Sequence, residues 1–245
     1  MRMLRKIWEL ARAHERTVLE AWVDEPDGLA FAAAIGATVV QKRRENRLRL
    51  ENVDWAMVET WAKEGPARAP GTRLRWFQNR IDDDVLAPYC ELYTTIFNQQ
   101  PFEARGQGAI VFTPESFRDR ESRTADMGAR WLTAASVEPN GSLSGFTEVT
   151  YIPDNGWIIQ QNLTGVRDPF RGRGLAKWLK AAMLRRVRTE LPQVRVVRTE
   201  NASSNAGMLS INERLGFRMH KERFVVDLKR EALERYLHSR QVAKV

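Results

Sequence analysis

The stretch from Val166 to Ala176, Val-Arg-Asp-Pro-Phe-Arg-Gly-Arg-Gly-Leu-Ala, constrains the fold of this chain more than any other. It follows an apolar, strand-like run at Trp157, Ile158 and Ile159 and begins a helical pattern from Leu175 to about Leu191. A glycine-rich turn at a helix start gathers unpaired backbone N–H groups at the positive end of the helix dipole. The stretch therefore predicts a site for a phosphorylated ligand. A glycine-rich turn without a ligand is the alternative.

The spacing of the residues in this stretch indicates which class of phosphorylated ligand it binds. Arg171, Gly174 and Ala176 give Arg-x-x-Gly-x-Ala, and Gly172 and Gly174 lack the Cβ atoms that would keep a pyrophosphate away from the main chain. The pattern is neither a Walker loop, which ends in Gly-Lys-Ser/Thr, nor the dinucleotide Gly-x-Gly-x-x-Gly fingerprint. It resembles the pyrophosphate arm of the GNAT superfamily of N-acetyltransferases, in which this loop holds coenzyme A.

The downstream sequence supports the same resemblance. A β-like run from Val194 to Val197 is followed by Asn201, Asn205 and a helical pattern that ends in Leu-Gly-Phe at 215–217. GNAT proteins show this order of strand, asparagines, helix and Leu-Gly-Phe. The resemblance implies an α/β fold, in which a mixed, mostly antiparallel sheet is flanked by helices.

Composition excludes several other classes of function. The 245 residues suffice for one domain and part of another, and Cys90 has no second cysteine with which to form a disulfide. Three scattered histidines predict no metal site. No apolar run approaches a membrane span and the start lacks a signal-peptide pattern, so we expect a cytoplasmic protein without a membrane partner. The net charge of +8 allows nucleic acid as a partner, but the arginines are dispersed and a phosphate-rich cofactor also favours a positive surface.

The first part of the chain repeats the element order of the last part. The repeated order is a helix, a strand, a second helix and a second strand, expected at 1–16, 18–23, 29–35 and 47–50 and again at 175–191, 194–197, 205–215 and 224–228. We therefore expect a partial GNAT-like repeat at 1–64, a Pro/Gly-dense linker at 65–71 and a complete GNAT domain at 72–245. This arrangement resembles the tandem GNAT proteins of actinobacteria, the group that includes mycothiol synthase, with most of the first domain missing. A half domain exposes a sheet edge, which favours a homodimer.

The complete domain is expected to begin with a strand at Arg73 to Gln78. Asp82, Asp83 and Asp84 are then expected to cap a helix that runs to Phe97, and Thr113 caps a second helix. Strands are expected at 130–138, 143–151 and 156–166, with Asn140-Gly141 as a hairpin turn. The loop at 98–109 between the two helices either shapes a substrate pocket or is an ordinary surface connection.

The resemblance to GNAT proteins implies roles for individual residues. Backbone groups of Gly165 and Val166 would align the pantetheine and polarise the thioester carbonyl. Asn201 would hydrogen-bond the pantetheine arm, and Asn205 would either lie near the cofactor or act only as a helix N-cap. The pyrophosphate would be bound by the amides of Arg171, Gly172, Arg173, Gly174, Leu175 and Ala176, with the two arginines adding positive charge.

Acetyl transfer to an amine requires a neutral nucleophile, a thioester held beside it and a proton for the leaving thiolate. Glu148 is the candidate base, and a solvent-facing strand residue is the alternative. Asn212 stands where many relatives carry a tyrosine that protonates the thiolate, so that proton would come from water or from another residue, or the domain is inactive. We expect an acetyl-CoA-dependent N-acetyltransferase that acts on a small-molecule amine by direct attack in a ternary complex. The alternative is a degenerate, coenzyme A-binding GNAT module with a regulatory or scaffolding role.

Overall fold

A computed structural model describes residues 2–100, 109–202 and 204–242 of the chain. Its helices are α1 (Arg2–Ala13), α2 (Pro26–Ala34), α3 (Trp55–Arg68), α4 (Leu86–Asn98), α5 (Pro114–Asp126), α6 (Leu175–Glu190), α7 (Ala206–Leu215) and α8 (Arg230–Val242). Its strands are β1 (Val18–Val23), β2 (Thr38–Arg49), β3 (Arg73–Gln78), β4 (Arg130–Val137), β5 (Leu143–Tyr151), β6 (Ile158–Val166), β7 (Val196–Ala202) and β8 (Arg218–Lys229). These eight strands form one mixed sheet in the order β1-β8-β2-β7-β6-β5-β4-β3, flanked by helices. The expected α/β fold class is confirmed.

Two compact units divide the described residues. The smaller unit spans 2–45 and 220–242, and the larger one spans 46–100 and 109–219. In the smaller unit β1 pairs antiparallel with β8, from Val18 opposite Lys229 to Val23 opposite Phe224. Helices α1 and α8 pack together there over a small core that contains Ile35, Leu228 and Leu233.

The larger unit is built on an antiparallel meander from β3 to β6. Asn140-Gly141 forms the predicted turn between β4 and β5, since Gly141 has a φ of +84° and its N–H donates to the Glu138 carbonyl. Helices α3 and α6 cover one face of the sheet over a core that includes Leu132, Val149 and Ile159. Helices α4 and α5 cover the opposite face over an aromatic core.

Helices α3 and α6 approach each other closely at Gly65. A Cβ atom there would lie only 2.1 Å from the ring of Trp178, so a larger residue would push the helices apart. The first part of the Pro/Gly-dense segment that was expected to be a linker belongs to α3, which is helical up to Arg68. The division at 65–71 stays a prediction.

The structure repeats one element order. Both α1-β1-α2-β2-α3 and α6-β7-α7-β8-α8 read helix, strand, helix, strand, helix. In the larger unit α3 packs on α6, and in the smaller unit α8 packs on α1, so the last helix of each series packs on the first helix of the other. In the sheet, β8 of the second series likewise lies between β1 and β2 of the first series. A sequence pattern within one segment cannot reveal this pairing between distant segments.

Several predicted element bounds were wrong, and each error has a local cause. Strand β2 is longer than expected because it buries the polar residues Gln41, Glu45 and Asn46, which hide its alternation. Asp82, Asp83 and Asp84 do not cap α4, which begins after Val85 without a side-chain cap. Asp82 and Asp84 instead bind Arg75, while Asp83 binds Arg80 and Arg118. None of the described helices is long and apolar enough to cross a membrane.

Candidate functional site

The glycine-rich loop connects β6 to α6 with its backbone in the left-handed region at two glycines. Gly172 has a φ of +80° and Gly174, the residue before the helix, has a φ of +78°. A Cβ on Gly174 would lie 3.3 Å from the Arg68 side chain, and one on Gly172 would meet nothing within 4 Å. Non-glycine residues rarely adopt this backbone conformation, so the glycines determine the shape of the loop.

The first turn of α6 presents unpaired backbone donors. The Trp178 N–H donates to the Gly174 carbonyl over 3.1 Å. Among the described residues, the preceding N–H groups of Leu175, Ala176 and Lys177 have no acceptor in the chain. These donors lie at the positive end of a helix of 16 residues, so the loop fits the pyrophosphate of a nucleotide cofactor.

Arg171 brings positive charge to this loop. Its Nε donates to the Val166 carbonyl over 3.2 Å, and its terminal nitrogens contact Gln99 and Asp168. The side chain is 58% exposed, so the guanidinium is tethered but accessible to an anion.

Arg173 is less exposed than Arg171, at 29% against 58%, and it contacts a different part of the protein. It donates to Glu138 over 3.0 Å and to Thr72 over 2.9 Å. Burial opposes ionisation of Glu138, but the hydrogen bonds from Ser144, Arg173 and Thr72 outweigh it and lower the pKa of that carboxyl. Arg173 therefore anchors the loop to the end of the meander, and its charge is partly neutralised by Glu138.

Strands β6 and β7 separate beside the loop. They run parallel and pair from Ile158 opposite Val196 to Gln161 opposite Thr199, where the pairing recorded for them ends. Beyond that point β6 continues through Gly165 to Val166 and β7 continues through Asn201. A gap between two parallel strands can accept an extended ligand that hydrogen-bonds to both strand edges.

Gly165 is required for packing as well. A Cβ there would lie 2.2 Å from Ile96 of α4, so glycine is needed for that helix to approach β6. The predicted residues Gly165 and Val166 on β6 and Asn201 on β7 lie beyond the last paired residues of these two strands. Asn201 lies inside β7, although the sequence suggested a position just after that strand.

Asn212 of α7 is buried beside Asn201. Its Nδ2 donates to the Asn201 Oδ1 over 2.9 Å, while its own Oδ1 is buried and has no hydrogen-bond partner in the described chain. Asn205 caps α7, because its Oδ1 accepts from the Met208 N–H over 3.2 Å. An unmet acceptor in a polar groove is a place where a ligand can bind.

Glu148 lies on the opposite face of the sheet and is fully buried. Its Oε1 accepts from Arg120 over 2.8 Å and from Tyr93 over 3.2 Å, and its Oε2 accepts from the Trp131 indole over 2.9 Å. The alternative of a solvent-facing strand residue is therefore wrong. Burial, with the charge of Glu148 as the next cause, raises the pKa of Tyr93 above its ordinary range. Whether Glu148 acts as a base stays a prediction.

Sequence analysis missed two charged residues, the half-buried Arg120 and the buried Lys180. Arg120 of α5 lies 4.4 Å from the Trp131 ring centroid and pairs with Glu148. Lys180 of α6 is 2% exposed. A signal for Lys180 was available, because Met183, Leu184 and Val187 follow it at helical spacing and place it on an apolar stripe. Residues 101–108 of the loop that was expected to shape a pocket lie outside the described residues.

Comparisons with known proteins agree with this geometry. No family model matches the sequence, and no curated protein is significantly similar to it. A solved tandem GNAT protein from the clavulanic acid biosynthesis pathway, without AcCoA, has a TM-score of 0.74 and 28% identity, covering 91% of this chain and 67% of that one. A GCN5-related N-acetyltransferase from Sphaerobacter thermophilus has a TM-score of 0.61 and 16% identity, covering 92% of this chain and 65% of that one. Another from Kribbella flavida has a TM-score of 0.57 and 15% identity, covering 91% and 73%.

These similarities define the fold of the chain as that of GNAT N-acetyltransferases. At 16% and 15% identity the last two structures show the fold alone. The tandem GNAT protein, at 28% identity, is the more informative neighbour, and it supports acetyl transfer as the general activity.

Proposed function

We propose that this chain is an acetyl-CoA-dependent N-acetyltransferase that transfers an acetyl group to the amine of a small molecule by direct attack in a ternary complex. The observation that carries the proposal is the glycine loop of 171–176, whose unpaired N–H groups lie beside the gap between β6 and β7. A phosphate site next to a gap for an extended arm suits coenzyme A, which has a pyrophosphate and a pantetheine arm.

Each part of the groove has a role in the proposal. Acetyl-CoA supplies an acetyl thioester, which is activated toward amines. The N–H groups of 172–176 bind the pyrophosphate, with Arg171 as an exposed counter-charge, and Arg173 holds the loop in place through Glu138. Backbone groups of Gly165 and Val166 orient the thioester and bind its carbonyl oxygen as negative charge develops there. Asn201 supports the pantetheine arm, and Asn205 keeps the start of α7 in position as its N-cap.

The amine acceptor belongs on the side of α4 and α5 in this proposal. Glu148 is buried under these helices and holds Arg120 and Tyr93 by hydrogen bonds. As the proposed base it would take the amine proton through an intervening group. Its three donors equally suit a positioning role, and a pH profile distinguishes the two.

The test is a calorimetric titration with acetyl-CoA of the wild type and of two matched variants. Gly172→Asp and Gly141→Asp both place a carboxylate at a positive φ with open space around the new Cβ, at +80° and +84°. We expect Gly172→Asp to weaken binding at least about tenfold, since the carboxylate repels the pyrophosphate. Gly141→Asp should bind like the wild type. Equal binding by all three proteins would exclude the loop from the site.

A free-thiol assay across a panel of amines then tests the transfer. Thiol release with one amine would establish the enzyme and identify its acceptor class. Binding without release across the panel would favour the coenzyme A-binding module, and no binding by the wild type would overturn the proposed function.

We also infer that residues 72–245 form the catalytic domain and that 1–64 is a partial repeat of the tandem type.

We infer further that the chain forms homodimers through the edge strand β1. Supporting the dimer, β1 is the first strand of the sheet order, and Val18 and Trp22 on it are 45% and 42% exposed. Light scattering should give twice the mass of one chain for the wild type and a single-chain mass for Trp22→Lys. A monomeric wild type would contradict the dimer.

A further inference from the structure

Strand β6 contains a bulge shortly before the residues that the proposed function assigns to the thioester. Its pairing with β5 places Gln161 opposite Val149 and Thr164 opposite Thr147. Two residues of β6 therefore lie opposite the single residue Glu148 of β5. A bulge of this kind bends the strand that carries the extra residue. The bulge thus gives β6 a change of direction directly after Gln161.

The pairing between β6 and β7 ends at the same residue. Gln161 opposite Thr199 is the last pair recorded for these two parallel strands, and both strands continue beyond it. The Gln161 carbonyl accepts hydrogen bonds from two side chains, from the Gln160 Nε2 over 3.1 Å and from the Thr199 Oγ1 over 3.2 Å. Gln161 is therefore the residue at which β6 leaves β7, and the bulge that follows it supplies a physical cause for the separation.

The side chain of Gln161 spans the bulge from β6 to β5. It is 3% exposed, and its Nε2 donates to the Glu148 carbonyl over 2.7 Å and to the Thr147 hydroxyl over 3.1 Å. The same nitrogen lies 3.4 Å from the Oγ1 of Thr164. The Thr147 and Thr164 hydroxyls are 2.7 Å apart and hydrogen-bond to each other. One buried amide thus contacts both strands at the position where their register shifts.

The register of β6 decides which way its following residues face. A slip of one residue, which would remove the bulge, would turn every later side chain of the strand to the other face of the sheet. In the observed register the Gly165 position faces α4, since a Cβ there would lie 2.2 Å from Ile96. Val166 belongs to the core on the side of α3 and α6. The hydrogen bonds of the Gln161 side chain hold β6 in this register.

We propose that Gln161 is a positioning residue for the pantetheine arm of coenzyme A, a role that rests on the proposed function. Its side-chain amide fixes the bulge, and the bulge keeps the edge of β6 at 165–166 apart from β7, where backbone groups can bind the arm. Gln161 acts through the backbone of β6 and not by contact with the reacting atoms. Because it also binds the Glu148 carbonyl, it holds the backbone of the proposed base as well.

A purely structural role is the alternative. A buried amide that joins two strands stabilises a sheet whether or not a ligand binds. The two roles differ in their consequence for affinity. A residue that shapes the groove should affect only the part of the ligand that enters the groove, whereas a purely structural residue should not distinguish one part of the ligand from another.

The experiment measures how much the arm adds to binding. Calorimetry gives the dissociation constants of coenzyme A and of adenosine 3′-phosphate 5′-diphosphate, which has the nucleotide and its phosphates without the pantetheine arm. The proteins are the wild type, Gln161→Met, Thr199→Val and the matched control Gln193→Met. Gln193 is exposed in the turn before β7, and its Nε2 donates to the Tyr151 hydroxyl over 2.7 Å.

We expect the wild type and Gln193→Met to bind coenzyme A at least about tenfold more tightly than the nucleotide. Gln161→Met keeps an unbranched side chain but removes the donor, so it should lose most of this advantage of coenzyme A. Its affinity for the nucleotide should stay within about twofold of the wild type. Thr199→Val removes one donor to the Gln161 carbonyl and should reduce the advantage by a smaller factor.

The outcomes separate this inference from the proposed function. No binding of either ligand by the wild type would overturn the proposed function itself. Equal binding of both ligands by the wild type, or an undiminished advantage of coenzyme A in Gln161→Met, would overturn the role of Gln161 alone. If Gln161→Met does not fold, Thr199→Val decides, because an unchanged advantage of coenzyme A in that variant would also contradict the role.

Discussion

The two faces of the sheet in the larger unit differ in how their buried charged groups are paired. Under α4 and α5, both oxygens of Glu148 are occupied by the donors Arg120, Tyr93 and Trp131. On the side of α6, the buried Lys180 has no carboxylate partner among the described residues, and its Nζ lies over the ring of Phe217. Both faces bury a charged group, but only under α4 and α5 does that charge have a counter-ion. Each face also leaves a neutral polar atom without a hydrogen-bond partner among the described residues, in Tyr89 and Thr133 on one face and in Asn212 on the other.

The two cases have different consequences for stability. A buried charge whose partners are all present fixes neighbouring side chains in one arrangement, and removing it leaves those partners unsatisfied. A buried polar group without partners weakens the fold and is explained when a ligand binds it. The catalytic candidate from sequence analysis, Glu148, lies on the face whose buried charge is paired.

The largest expected effect is on stability at Lys180. Folding lowers its pKa from the ordinary 10.5 to about 7, so the unfolded chain holds more protons than the folded chain between those pH values. The stability of the wild type should therefore rise with pH across this window, by up to roughly 5 kcal/mol. Lys180→Met removes the penalty, which is fully present below pH 7, so its stability gain should be largest there and shrink toward pH 10.5.

Chemical denaturation of the two proteins at several pH values measures this difference. Lys63→Met, which changes an exposed lysine, should follow the wild type throughout. A Lys180→Met protein less stable than the wild type at pH 6 would show that Lys180 has a partner that stabilises it, and the comparison between the faces would break.

Glu148→Gln should lower the stability of the protein, whereas Lys180→Met should raise it. The glutamine would keep the shape of the side chain but leave Arg120 without its counter-ion. Because Arg120 is 27% exposed, the cost should lie below the about 3 to 5 kcal/mol of a fully buried pair. Denaturation measures the loss of stability. The pH profile of kcat, recorded once an amine is known, shows whether a base has also been lost. A profile that keeps its rise on the acid side and changes only in height would make Glu148 a positioning residue.

Asn205→Ala should have the smallest effect on stability, and it tests whether this side chain contacts the cofactor. Loss of the cap on the Met208 N–H should cost about 1 kcal/mol. Asn205→Asp, which keeps an acceptor at this position, should retain most of the stability. Affinity for coenzyme A should change little in both variants. A clear loss of affinity in Asn205→Asp alone would show that the side chain lies beside the phosphates.

Much of the fold could be predicted because its signals are local. Strands β1, β3 and β5 have the predicted bounds, since apolar residues and turn residues define them within a few positions. The Thr113 cap of α5 was also predicted, and the structure shows its capping box with Ser116. Helix α8 was not predicted, and β2 and β8 were predicted too short, because charged residues crowd these segments.

The phosphate loop was the most readable part of the candidate site. Its glycines encode positive φ angles and its helix start encodes unpaired donors, so both follow from residues that are neighbours in sequence. The surroundings of Glu148 could not be predicted in this way. Arg120, Tyr93 and Trp131 lie 28, 55 and 17 positions from it and meet only when α4 and α5 pack on the sheet.

The sequence by itself determined the position of the glycine loop, the order of strand, asparagines and helix after it, and thereby the fold class of the chain. Only the tertiary structure decided which buried polar groups find partners. Lys180 and Glu148 are both charged residues in apolar patterns, and no local feature distinguishes them. The partners of a buried charge come from distant segments, and their presence or absence depends on packing that local sequence does not encode.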